Sequence, residues 1–253
     1  MLEICIDSIA SARAAAAGGA DRVELCAGLP EGGTTPSAGM IRGVRAAFPG
    51  RLMVIIRPRG YDFLYSEAEM ETMQHDISVA RELGADGVVI GCLTAGGQVD
   101  MDRCRQLMEA AGPLDITFHR AFDMTRDLSE ALEDIIRLGI RRVLSSGGKP
   151  DVPAGTAQLT ALVRQAAGRL SIMPGGGVTE LNLGGIVRKT GVREIHLSAR
   201  SPVRGGMTFF NPGCFMGSFT QADEYGWREA NEDKIRICKT VLSAALAEAG
   251  PPV

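Results

Sequence analysis

Short apolar runs alternate with helix-forming stretches from one end of the chain to the other. The runs occupy residues 2–6, 22–26, 52–56, 87–90, 114–118, 142–144, 170–173 and 193–197. Each is apolar or β-branched enough for a strand buried on both faces, as parallel sheets require. Between them lie good helix formers, for instance over residues 12–17, 67–83 and 128–138,. One junction recurs: Gly19-Ala20-Asp21-Arg22-Val23, Gly84-Ala85-Asp86-Gly87-Val88, Gly139-Ile140-Arg141-Arg142-Val143 and Gly191-Val192-Arg193-Glu194-Ile195. In each, a glycine ends a helix in the left-handed region and the next strand begins. The glycines stand 65, 55 and 52 residues apart, each gap about two strand–helix units long,.

Four such double units predict a closed (βα)8 TIM barrel, an α/β fold, in a single domain over residues 1–253,. An open doubly wound sheet is the alternative. Its first turn should carry G-x-G-x-x-G, whereas the first run here leads into Asp7-Ser8-Ile9,. A long loop is expected over residues 199–225, before the last helix, with Phe209, Phe210, Phe215 and Phe219 suited to a lid or a subunit interface,.

Composition narrows the function classes. Hydrophobic residues make up 45% and charged residues 23%, an ordinary globular mix,. Lys plus Arg is 27 against Asp plus Glu 30, so the basic surplus of a nucleic-acid binder is missing,. No apolar stretch is long enough to span a membrane, and the N-terminus lacks an apolar signal core, which reads as a cytosolic protein,. The six cysteines contain no C-x-x-C pair, so any metal ligands must converge from separate elements,.

In a barrel of this kind chemistry belongs at the C-terminal strand ends. Glu3 and Cys5 are two apart on the first strand, Glu24 and Cys26 on the second, Glu194 and His196 on the eighth. Period-two alternation puts each pair on one face, and the three strands are neighbours in a closed barrel. Buried glutamates need partners; Arg57 and Arg59 ending the third strand, and His119-Arg120 ending the fifth, are the expected ones. An ion-pair network filling the interior remains open beside an active site in which His119, Glu24, Glu194 and Arg57 are catalytic candidates. His119 is the natural acid/base, because its unperturbed pKa lies near neutrality. Cys5 and Cys26, on adjoining strands, suit a soft ion such as Cu(I), with His196 as a third ligand. They equally suit core packing. Cys92, ending the fourth strand, is also expected near the mouth. An anionic or polyhydroxylated small molecule is expected on Arg59, Arg120, Ser146, Gly147, the Gly175-Gly176-Gly177 loop and Ser198, where barrels often hold phosphate.

Several of these motifs together resemble one family. Glu3-Ile4-Cys5, Asp21-Arg22-Val23-Glu24-Leu25-Cys26, Glu31-Gly32-Gly33-Thr34-Thr35-Pro36-Ser37, Ile56-Arg57-Pro58-Arg59-Gly60, Thr117-Phe118-His119-Arg120-Ala121-Phe122-Asp123 and Pro174-Gly175-Gly176-Gly177-Val178 resemble the CutC copper homeostasis family. The resemblance runs from residue 2 to the last helix. It implies a TIM barrel, a cytoplasmic location and a homo-oligomer, a homodimer or homotetramer. It also implies a role in copper tolerance with Cu(I) held by Cys5 and Cys26. The ring of Glu3, Glu24, Arg57, His119 and Glu194 around those cysteines also suits an enzyme acting on a small polar molecule.

Overall fold

The computed structural model describes residues 1–214 and 224–248. Eight parallel strands form its centre: β1 (Leu2–Ile6), β2 (Arg22–Leu25), β3 (Arg51–Ile55), β4 (Gly87–Ile90), β5 (Asp115–Phe118), β6 (Arg142–Ser145), β7 (Ser171–Pro174) and β8 (Ile195–Leu197). Their hydrogen-bonded order is β7-β6-β5-β4-β3-β2-β1-β8. β7 and β8 lie side by side and complete a nearly closed TIM barrel. The outer layer is α1 (Ile9–Ala17), α2 (Ala38–Ala47), α3 (Glu67–Glu82), α4 (Met101–Ala111), α5 (Leu128–Leu138), α6 (Val152–Ala166), α7 (Leu183–Thr190) and α8 (Glu232–Glu248).

Strand alternation divides the interior into two cores. Leu2, Ile4 and Ile6 of β1, Val23 and Leu25 of β2, and Leu52 and Val54 of β3 all enter one large apolar cluster with the helices. The intervening Cys5, Cys26, Met53, Ile55 and Val89 form a separate, smaller cluster inside the barrel. Burying each Leu, Ile or Val of the outer cluster contributes roughly 1.5–3 kcal/mol, so the helical shell holds the strands in this register. Serine or aspartate side chains cap α1, α2, α3, α4, α5 and α6, and Ser66 with Glu69 forms a reciprocal capping box at α3,. The four junction glycines, Gly19, Gly84, Gly139 and Gly191, have φ between 77° and 85°, the left-handed turn the repeated motif implies,.

Two expectations need correction here. Within the expected 199–225 loop, residues 200–204 form a strand, β9 (Arg200–Arg204), which pairs antiparallel with β10 (Gly226–Ala230) just beyond it. Both strands are polar and mixed, so they carry no apolar run. Pairing across a hairpin forms them, and the Ala230 amide ties the ribbon to Ser11 Oγ on α1 at 3.1 Å. Phe209 and Phe210 are exposed beside it, whereas Phe215 and Phe219 lie outside the described residues. Cys92 does not reach the mouth: it is fully buried in the strand–helix layer, with Cys104 of α4 in the same cluster. Among the described residues no helix is long and apolar enough to cross a membrane.

Candidate functional site

β8, β1 and β2 are adjacent, as the site requires. Cα register sets Glu3 opposite both Arg22 and His196, and Cys5 opposite Glu24. At the base of the lumen Arg22 is fully buried; its Nε donates to Glu3 and its Nη2 donates to Glu194 at 2.5 Å. Arg142 donates from Nε to the same Glu194 oxygen at 2.6 Å, and from Nη1 to Thr117 Oγ1 at 3.0 Å and Asp115 at 3.3 Å. The lumen carboxylates therefore pair with Arg22, Arg142 and His196, not with Arg57, Arg59, His119 or Arg120. Arg22 and Arg142 are the residues that sequence reasoning missed. The signal was present: Arg22 is two residues before Glu24, and so on the lumen face of its strand.

Above this base sit the sulfurs. Cys5 Sγ and Cys26 Sγ are 3.9 Å apart. His196 Nδ1 is 2.7 Å from Glu3 Oε1, which leaves Nε2 toward Glu24 at 3.6 Å. One donor atom each from Cys5, Glu24 and His196 falls within 4.8 Å of the others. Protonation follows from these contacts. The hydrogen bond from Cys26 is the largest influence on Cys5 and, with His196, outweighs burial to bring its pKa down to about 5. The same bond and burial hold the Cys26 proton well above the ordinary thiol value. Burial opposes the charge on Glu3, yet Arg22 and His196 bring it down to about 2. Burial pushes Glu24 up to about 8, with His196 opposing, so near neutral pH it is mostly protonated. His196 rises well above 6.5 despite burial, through its bonds to Cys5 and Glu3 and the charges of Glu24 and Glu3. The resting floor is thus a thiolate–imidazolium pair with a neutral acid beside it.

A cavity of about 650 Å³ opens over this floor. Of the candidate residues it is lined by Cys5, Cys26, Glu24, Arg57, His119 and Arg120, with His196 added. Glu194, Arg59, Ser146, Gly147, Gly175, Gly176, Gly177 and Ser198 do not line it. Glu194 lies at the base with its two arginines. Arg59 turns away to Glu69 of α3 at 2.5 Å and to Asp62 at 3.0 Å. Gly175 donates its amide to Ser145 O, the Gly176 carbonyl accepts from Val152, and the Gly177 carbonyl accepts from Asn182 Nδ2.

The loop after β6 is organised around a side chain of the chain itself. Asp123 Oδ1 accepts from Ser145 Oγ at 2.6 Å and from the Gly148 amide at 2.9 Å. Its Oδ2 accepts from the Ser146 amide at 2.9 Å and from Arg120 Nε at 2.8 Å. A carboxylate of the chain itself therefore ties Arg120, Ser146 and Gly148 together above β6. His119, the acid/base candidate, is buried; its Nδ1 accepts from the Ala121 amide at 3.2 Å. Burial first, then Arg57, brings its pKa down to about 3, so the ring is neutral.

Comparison with known proteins adds to this geometry. A family model described as the CutC family matches residues 1–201. A Bacteroides thetaiotaomicron family protein CutC is 52% identical over 224 residues, 88% of this chain and 90% of its own. A human protein named copper homeostasis protein cutC homolog is 45% identical over 246 residues, 97% of this chain and 90% of its own. A crystal structure of a CutC protein from Streptococcus agalactiae superposes with a TM-score of 0.74 at 34% identity, covering 78% of this chain and 98% of its own.

Proposed function

This chain belongs to the CutC family, and on that premise we propose that it serves copper homeostasis by holding Cu(I) between Cys5 and Cys26 at the floor of the barrel. One observation carries the reading: two free sulfurs, 3.9 Å apart on adjacent strands, at the bottom of an open-mouthed cavity. Copper here is cargo. Thiolates are soft donors that favour Cu(I) over hard cations such as Mg²⁺ or Ca²⁺. Cys5 is already acidic enough to offer a thiolate at neutral pH, whereas Cys26 must give up its proton when the ion arrives,. The proton that Cys26 releases to solvent offsets the charge of the arriving Cu(I), and His196 and Glu24 stand close enough to Cys5 to offer further donor atoms,. Glu3 orients the imidazole from behind through Nδ1, the outer-shell support that metal-binding histidines commonly have,.

A reducing cytoplasm suits this site, because it keeps the two thiols from oxidising to a disulfide. The exposed Phe209, Phe210 and Trp227 around the β9–β10 ribbon suit a contact between copies of the chain, a homodimer or homotetramer,. Light scattering on the purified chain measures that state, and a monomer at all concentrations removes it.

Anaerobic titration against a chromogenic Cu(I) chelator tests the metal reading. The expected result is about one Cu(I) per chain, abolished by Cys5→Ser and by Cys26→Ser, as a two-thiolate site requires. Parental binding in both variants removes the proposal.

A further inference from the structure

Arg57 is a buried cation that the copper reading does not use. It is 5% exposed, and its Nη1 donates to the carbonyls of Glu31 and Gly33 at 2.8 Å each while Nη2 donates to that of Tyr61 at 2.9 Å. All three acceptors are neutral, and its Nε is buried without a partner. Among the described residues Arg57 forms no ion pair, although it lines the cavity. The other charged side chains of the cavity wall have partners: Asp62 has Arg59, Asp123 has Arg120, and His196 stands between Cys5 and Glu3. An unmatched buried charge is costly unless something neutralises it.

A second orphan donor stands close by. Because His119 Nδ1 accepts a backbone hydrogen bond, the proton of the neutral ring is on Nε2, and Nε2 is likewise buried without a partner. The Phe63 ring packs against both residues, with its centroid 5.0 Å from Arg57 Cζ and 5.1 Å from the His119 ring. The remaining wall is largely apolar, including Leu29, Ile55, Leu64, Leu93 and Leu144. The volume of about 650 Å³ falls within the range of small-molecule sites and far exceeds the needs of a single ion,.

We propose that this cavity binds a small organic carboxylate with an apolar body, its carboxylate taken by Arg57 Nε and His119 Nε2 and its body by the apolar wall. The Phe63 ring, packed against both residues, forms part of that wall. A carboxylate fits where a neutral molecule does not, because it supplies the missing counter-charge as well as two acceptors. Neither Arg57 nor His119 is a copper ligand in the proposed site, so copper loading and ligand binding can fail separately.

Isothermal titration of the full-length, reduced, copper-free chain with phenylacetate and with its neutral isostere phenylacetamide tests the site. Phenylacetate should bind at least about tenfold tighter, the scale of one charge-assisted hydrogen bond. His119→Phe and Arg57→Met should each erase that preference, whereas His119→Gln, which keeps an N–H donor, should retain part of it. Leu29→Trp, which adds bulk to the cavity wall, should abolish binding of phenylacetate. If Arg57→Met does not fold, as circular dichroism will show, His119→Phe carries the comparison. Equal affinity for the two probes, no binding of phenylacetate at millimolar concentration, or parental binding by Leu29→Trp overturns the proposal.

Discussion

Arg22→Met should be the most damaging single substitution in the lumen. The parent guanidinium is fully buried and touches two carboxylates, Glu3 and Glu194, both of which stay behind in the variant. Methionine fills most of the volume and supplies no charge. Breaking a buried pair by removing one partner costs about 3–5 kcal/mol. The ionisation of Glu3 leads to the same scale by a separate route. Its pKa of about 2, against an ordinary 4.5, corresponds to about 3 kcal/mol of stabilisation,. The sign is set by that depression: the contribution is complete above pH 4.5 and drains away as the pH falls toward 2,. The stability gap between parent and variant should therefore be widest near pH 7 and narrow below about 4.5. Urea unfolding followed by circular dichroism at several pH values measures it. A loss below about 1 kcal/mol at pH 7, the scale of an exposed ion pair, or a gap that does not change with pH, refutes the reasoning.

Three further outcomes follow from single contacts. Cys5 should react with iodoacetamide down to about pH 5, while Cys26 and Cys92 stay unmodified at neutral pH by peptide mass mapping; removing the Cys26 hydrogen bond with Cys26→Ala should move the Cys5 profile toward that of an ordinary thiol,. Asp123→Asn turns an amide N–H₂ toward donors that Asp123 now satisfies, and should cost about 2–4 kcal/mol in urea unfolding; a loss under about 0.5 kcal/mol would mean that the loop after β6 does not depend on this carboxylate,. Gly155→Ala places a methyl 1.7 Å from the Ser146 carbonyl oxygen, a clash with backbone that should cost at least about 3 kcal/mol, whereas Gly185→Ala meets nothing within 4 Å and should stabilise α7 by roughly 0.5–1 kcal/mol,. Comparing the two denaturation midpoints checks both signs at once.

The barrel itself was legible in the amino-acid sequence, because its determinants are local. Period-two alternation, helix-forming stretches and the four junction glycines each act over a few residues, and the structure places a strand in every apolar run. The gathering of Glu3, Cys5, Glu24, Cys26, Glu194 and His196 was legible too, since parity and strand adjacency follow from alternation and ring closure. What local pattern does not contain is the identity of partners across the lumen. Glu3 meets Arg22 and His196, 19 and 193 residues away in the chain. Glu194 meets Arg142, 52 residues away, and Asp123 fills a cradle built 22 to 25 residues later. Those pairings depend on side-chain length and on how far each strand reaches into the lumen. Burial then sets the charges: neutral His119, protonated Glu24 and an acidic Cys5 all depart from their free values because of neighbours that only the closed barrel supplies. The chain's local grammar thus specified the vessel and the residues that face inward. The tertiary structure alone decided which of them neutralise one another and which are left to act.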